Sequence, residues 1–87
     1  MNTKFDEYLE FPCAFTFKVM GVANDSLEDE VLEVIQRLAP GEYSPSSRLS
    51  TKGNYRAFTL SVRVTSNEHI EQLYQELGAI DDVRHVL

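Results

Sequence analysis

The chain has 87 residues, 43% of them hydrophobic, a single cysteine and a formal net charge of −6. That length suits one domain that buries roughly 60–65% of its unfolded surface, and a core this small weighs against a deep, enclosed active site. The acidic balance argues against nucleic acid and anionic membranes as partners, because both are held by clustered Lys and Arg.

Cys13 is the only cysteine, so an internal disulfide and a thiolate metal cluster are excluded. The opening residues, Met1 to Glu7, lack the apolar run of a secretory signal. No stretch approaches the roughly 18 apolar residues of a membrane-spanning helix. A reducing cytoplasm is therefore the expected compartment.

In chain order, Thr3 to Leu9 predicts a short amphipathic turn or helix with Phe5, Tyr8 and Leu9 on one side, ended at Phe11-Pro12. Residues 1–13 are thus expected to form an arm over part of the core. Phe15 to Met20 alternates with period two, placing Phe15, Phe17 and Val19 on one face of a half-buried strand. Gly21 is expected to release the chain into a loop through Asp25. Asp25 or Ser26 then caps a helix with Leu27, Val31, Val34, Ile35 and Leu38 on one face. Its acidic first turns and Arg37 near the end suit the helix dipole, and Pro40-Gly41 stops it.

Tyr43 to Ser50 contains Pro45, so as a strand it belongs at a sheet edge. Lys52-Gly53-Asn54 predicts a hairpin connection. Tyr55 to Thr65 is the clearest strand, with Phe58, Leu60, Val62 and Val64 facing inward. Ser66 or Asn67 caps a second helix carrying Ile70, Leu73, Tyr74 and Leu77, and Gly78 is placed for a left-handed C-terminal residue. Val83 to Leu87 suits a closing strand. The order β-α-β-β-α-β, with helices apolar on one face, predicts an α+β, ferredoxin-like βαββαβ sandwich. Its four-stranded antiparallel sheet has the order 4-1-3-2, with both helices on one side.

Candidate sites follow from this layout. The open sheet face carries Thr16, Lys18, Ala57, Thr59 and Ser61, with Tyr55 the one outward aromatic, which gives bases little to stack on. The carboxylates Glu28, Asp29, Glu30 and Glu33 lie opposite the apolar stripe of the first helix and suggest a solvated face. His69 is expected exposed in the first turn of the second helix. His85 is expected partly buried in the last strand. Neither has metal-ligand spacing, and no nucleophile elbow or phosphate-cradling glycine motif is present, so no cofactor or metal is expected. Two loops stand out. Gly21, Asn24, Asp25 and Ser26 lead into a helix N-terminus, where free N–H groups suit a small carboxylate. Lys52, Asn54 and Tyr55 expose a cation and an aromatic together, and with Arg37 they form a candidate interaction surface.

Several segments resemble the small bacterial YbeD (UPF0250-type) family. They are Leu9 to Pro12, Phe15 to Gly21, Gln36-Arg37, Ala39 to Gly41, Tyr43, Pro45, Lys52 to Tyr55, Leu73 to Gly78 and Val83 to Leu87. The resemblance covers essentially the whole chain. It implies a ferredoxin-like fold similar to ACT regulatory domains and no established activity, with a contextual link to lipoate attachment. In ACT domains the loop after the first strand takes amino acids; Gly21 to Ser26 occupies that place, without the Asp-x-Pro-Gly run. The sequence thus leads to a non-enzymatic regulatory or adaptor domain that binds a protein partner or a second copy of itself. The alternative is a sensor of amino acids or other carboxylates, and a weaker one is an accessory factor in lipoyl metabolism.

Overall fold

In the computed structural model, which describes residues 10–87, the first strand is longer than its clearest alternation. It runs from Cys13 to Val22 (β1) and pairs antiparallel over its whole length with Tyr55–Val64 (β3). The remaining elements are Leu27–Leu38 (α1), Ser46–Leu49 (β2), Asn67–Gly78 (α2) and Val83–Val86 (β4). The sheet order β2-β3-β1-β4 is the one predicted. The short turn or helix expected over residues 3–9 lies outside the described residues.

The core sits between one side of the sheet and the two helices. Phe17 and Val19 of β1 and Phe58, Leu60, Val62 and Val64 of β3 are buried there. Leu27, Val31, Val34 and Ile35 of α1 meet them, as do Ile70, Leu73 and Leu77 of α2. Each such side chain contributes about 1.5–3 kcal/mol by leaving water. Phe17 also packs edge-on against Tyr74 of α2, with ring centroids 5.0 Å apart. This layer locates the helices on the sheet by the same residues whose spacing predicted them.

Several local expectations change. Gly21 does not open a loop; it is a buried member of β1, paired with Arg56 on one side and Val83 on the other. The Val22 N–H donates to the Asp82 carbonyl at 2.9 Å. A Cβ on Gly21 would strike that carbonyl oxygen and lie 3.1 Å from a Leu27 methyl. The absent side chain serves a close backbone approach rather than a turn. Gly78 is not left-handed either: it is the last residue of α2, and the chain's positive-φ glycine is Gly53, at +78° in the β2–β3 hairpin. Pro45 precedes β2 instead of lying inside it, which leaves a four-residue edge strand, wholly exposed.

The helix ends are secured by different means. The Ser66 hydroxyl accepts from the His69 N–H at 3.0 Å and caps α2. Neither the Asp25 nor the Ser26 side chain caps α1; the turn just before it is held by Asn24, whose Oδ1 accepts from the Ser26 N–H at 3.0 Å. Beyond α1, the Gly41 N–H donates to Gln36 Oε1 at 3.2 Å, and the Tyr43 hydroxyl donates to the Ala39 carbonyl.

Two expected outcomes follow from this packing. Gly21→Ala should lower stability by about 1–3 kcal/mol through overpacking. Gly78→Ala, with nothing within 4 Å of its added Cβ, should raise it by about 0.4–1 kcal/mol; urea midpoints of both variants check the pair. Burial also holds the Tyr43 phenol above its usual pKa of 10.0. The stability this contributes is present below pH 10 and is lost as the pH rises past it, because the unfolded chain ionises first. Alkaline unfolding of the wild type should therefore be steeper than that of Tyr43→Phe.

Candidate functional site

The side of the sheet away from the helices has no covering layer among the described residues. Strand pairing sets its side chains in rows. Arg48, Ala57, Met20 and His85 form one row across all four strands. The adjacent row is Ser46, Thr59 and Lys18, closed by Leu87, whose backbone exchanges hydrogen bonds with Lys18 at 2.9 and 2.7 Å. Thr16 and Ser61, then Ala14 and Arg63, extend the same face. Met20 is 40% exposed and Leu87 69% exposed, so the face carries apolar surface on β1 and beside β4 as well as charge.

Two depressions share Lys18 and Ala57 on this face. The first, of about 470 Å³, is lined by Val19, Met20, His85 and Leu87 as well. The second, of about 340 Å³, is completed by Ser46, Ser47, Arg48 and Thr59. Together they form one trough running from an apolar end to a polar one.

Charge is sorted between the two layers. None of the four strands contains an Asp or Glu, and every acidic side chain among the described residues lies on a helix or in a loop. Lys18, Arg48, Arg63 and His85 face outward on the open sheet. The other arginines are engaged: Arg37 pairs with Glu76 at 3.3 Å, Arg56 donates to Ser47 Oγ at 3.0 Å, and Arg84 to the Asp81 carbonyl at 2.8 Å. The side chains of Lys18, Arg48 and Arg63 make no ion pair or hydrogen bond among the described residues. An overall charge of −6 therefore coexists with a cationic sheet face, a local arrangement that net charge averages away.

His85 differs from its expected partial burial. It is exposed and stands beside Met20, because the β1–β4 register shifts between Met20 and Gly21. That irregularity lets Val83 and Val86 both turn inward although they are three residues apart, which defeats a period-two argument.

The residues singled out in the Gly21–Ser26 segment do lie together, near the β2–β3 hairpin. The Ala23 N–H donates to the Asn54 carbonyl at 3.0 Å, and the Asn24 amide donates to the Asp82 carboxylate. Asn24 Oδ1 also receives the Ser26 N–H and hydroxyl. Asp25 is an exposed turn residue. Lys52, Asn54 and Tyr55 occupy the hairpin at this end of the sheet, whereas Arg37 is on the helix layer in its pair with Glu76 and does not join them.

His69, expected exposed, is half-buried and links the helices. Its Nδ1 accepts from the Thr65 N–H at 3.1 Å, and its Nε2 lies 2.9 Å from the Leu38 carbonyl. An N–H facing Nδ1 and a carbonyl facing Nε2 assign the neutral tautomer with the proton on Nε2. The shallow groove of about 560 Å³ beside it, between the end of α1 and the start of α2, thus has its histidine committed to holding structure. Among the described residues no group of three or more His, Cys, Asp or Glu is placed to hold a metal ion, and no helix is long and apolar enough to cross a membrane.

Comparison with known proteins matches residues 6–87 to a family described as "Protein of unknown function (DUF493)". A UPF0250 protein of Idiomarina loihiensis is 61% identical, covering 99% of this chain and 98% of its own. One from Shewanella baltica is 56% identical over 100% and 99%. Among solved structures, a protein from H. pylori superposes with a TM-score of 0.68 at 20% identity, over 91% of this chain and 85% of that one. The ACT domain of a GTP pyrophosphokinase from Chlorobium tepidum gives 0.63 at 15% identity, over 86% and 97%. These structural likenesses establish the ACT-like ferredoxin fold.

The histidines separate two roles. His69→Ala should cost about 1 kcal/mol or more by stranding the Leu38 carbonyl and the Thr65 N–H. His85→Ala should stay within about 0.5 kcal/mol. Thermal unfolding of both variants checks this.

Proposed function

This chain belongs to the DUF493 family, the UPF0250 or YbeD proteins, and from that premise we propose that it is a non-catalytic regulatory or adaptor domain of the cytoplasm. It engages a protein partner, or a second copy of itself, through the helix-free face of its sheet. The observation that carries this reading is the trough along Arg48, Ala57, Met20, His85, Lys18 and Leu87. It is apolar at one end and uncovered by described residues, and it lies on a sheet whose other side packs against the core. Strand pairing fixes the backbone of this surface, so the ordering cost of association falls on its side chains alone.

The alternative, a carboxylate sensor at Gly21 to Ser26, draws on the ACT-like fold. Against it stand the Asp82 carboxylate beside Asn24, which repels an anion, and the commitment of Asn24 to Ser26 and Asp82. An accessory role in lipoyl metabolism is compatible with an adaptor, with no feature of the face favouring it.

Affinity capture from native cytosol, with identification by mass spectrometry, tests the reading. The wild type should retain a stoichiometric partner or a second copy. Met20→Glu, on the sheet face, should lose it, while Glu33→Gln on α1 should keep it. Retention of the same partner by Met20→Glu would sink the assignment to this face.

A further inference from the structure

Resting on the assignment of the open face as the binding surface, we propose that its occupant is an extended acidic peptide segment with an aliphatic or aromatic anchor. The anchor lies in the apolar end of the trough, over Met20, Ala57 and Leu87, and the carboxylates reach Lys18 and Arg48.

Lys18 and Arg48 line the polar half of the trough together. From strand spacing and residue rise, their Cα atoms stand roughly 12 Å apart, within the span of a few extended residues. Every other described arginine except Arg63, which shares this face, is already bonded inside the molecule. These cations therefore offer charge-assisted hydrogen bonds at no cost to an existing one. No Asp or Glu side chain of the strands stands on the face to repel a carboxylate. A floor containing Met20 adapts to anchors of differing shape.

The same features select against other occupants. Two copies pressed face to face would set Lys18 and Arg48 against a second set of the same cations, and like charges brought together disfavour association. Single-stranded RNA needs flat aromatics for its bases. The one outward aromatic of the strands is Tyr55, paired with Val22 at the end of the sheet and outside both depressions. A peptide with acidic and apolar residues uses both ends of the trough.

Selection of displayed random peptides against the full chain tests the proposal, with affinities of the selected peptides then measured by fluorescence anisotropy. The enriched sequences should place Asp or Glu beside Leu, Ile, Met or Phe. Lys18→Glu combined with Arg48→Glu should weaken them by about tenfold or more, and Glu30→Lys combined with Glu33→Lys on α1 should leave them within about twofold. The neutral pair Lys18→Gln and Arg48→Gln, with its thermal unfolding measured alongside, separates lost charge from lost fold. Enrichment of peptides without acidic residues that still compete at Met20 would overturn the acidic occupant and leave the face standing as the binding surface. Failure to enrich any peptide, or affinities untouched by the Lys18 and Arg48 changes, would overturn the proposal itself. Tighter binding of an oligouridine RNA, perturbing the same residues in amide spectra, would reassign the face to nucleic acid.

Discussion

The ten-residue antiparallel ladder between β1 and β3 is the interaction on which the other elements depend. It runs down the middle of the sheet and fixes, residue by residue, which side chains go to the helices and which go to the open side. A slip of one position would exchange Phe17, Val19, Phe58 and Leu60 for Lys18, Met20, Ala57 and Thr59. No core would survive that exchange. β4 joins only one end of β1, and β2 only part of β3, so both edge strands inherit their register from the central pair. Gly21 is where this inheritance is most demanding, since the turn before β4 reaches the ladder only because no side chain stands in the way.

Much of this was legible from the residues because the signals are periodic. Alternation along Phe15 to Met20 and Tyr55 to Thr65 identifies the central strands, and helical spacing from Leu27 and from Ile70 identifies the faces that cover them. What escaped was set by contacts between segments distant in sequence. Gly21 reads locally as a loop opener, and its true role depends on Asp82. Gly78 reads as a left-handed stop, yet α2 ends without one, the Ala79 N–H bonding back to the Gln75 carbonyl at 3.0 Å. His85 reads as alternating inward until a register shift turns it out. The bond of His69 to Leu38 joins residues 31 apart, which no local pattern encodes.

The candidate surface was half legible. Lys18, Ala57 and Thr59 are recognisable as outward residues from alternation alone, but their alignment with Arg48, His85 and Leu87 needs the strand order and register. Net charge pointed away from a cationic surface because it sums over layers that the fold keeps apart. Counting charge by element rather than by chain is the sequence signal that finds it: the strands contribute Lys18, Arg48, Arg56, Arg63 and Arg84 and no carboxylate. The helices and loops hold the acids, where they meet water at little cost and, in the first turn of α1, the positive end of the helix.

Period-two alternation has one more consequence. Because successive residues of a strand serve opposite sides, the positions that hold the domain together and those that meet the outside interleave without sharing side chains. Thr16, Lys18, Met20, Ala57, Thr59 and Ser61 touch solvent while Phe17, Val19, Phe58, Leu60 and Val62 are sealed. Exposed substitutions of this kind usually alter stability by no more than about 0.5 kcal/mol. Descendants of one ancestral sequence can thus re-carve the outer side for new recognition while the sealed side stays fixed, and divergence in what such domains bind need leave no trace in their architecture.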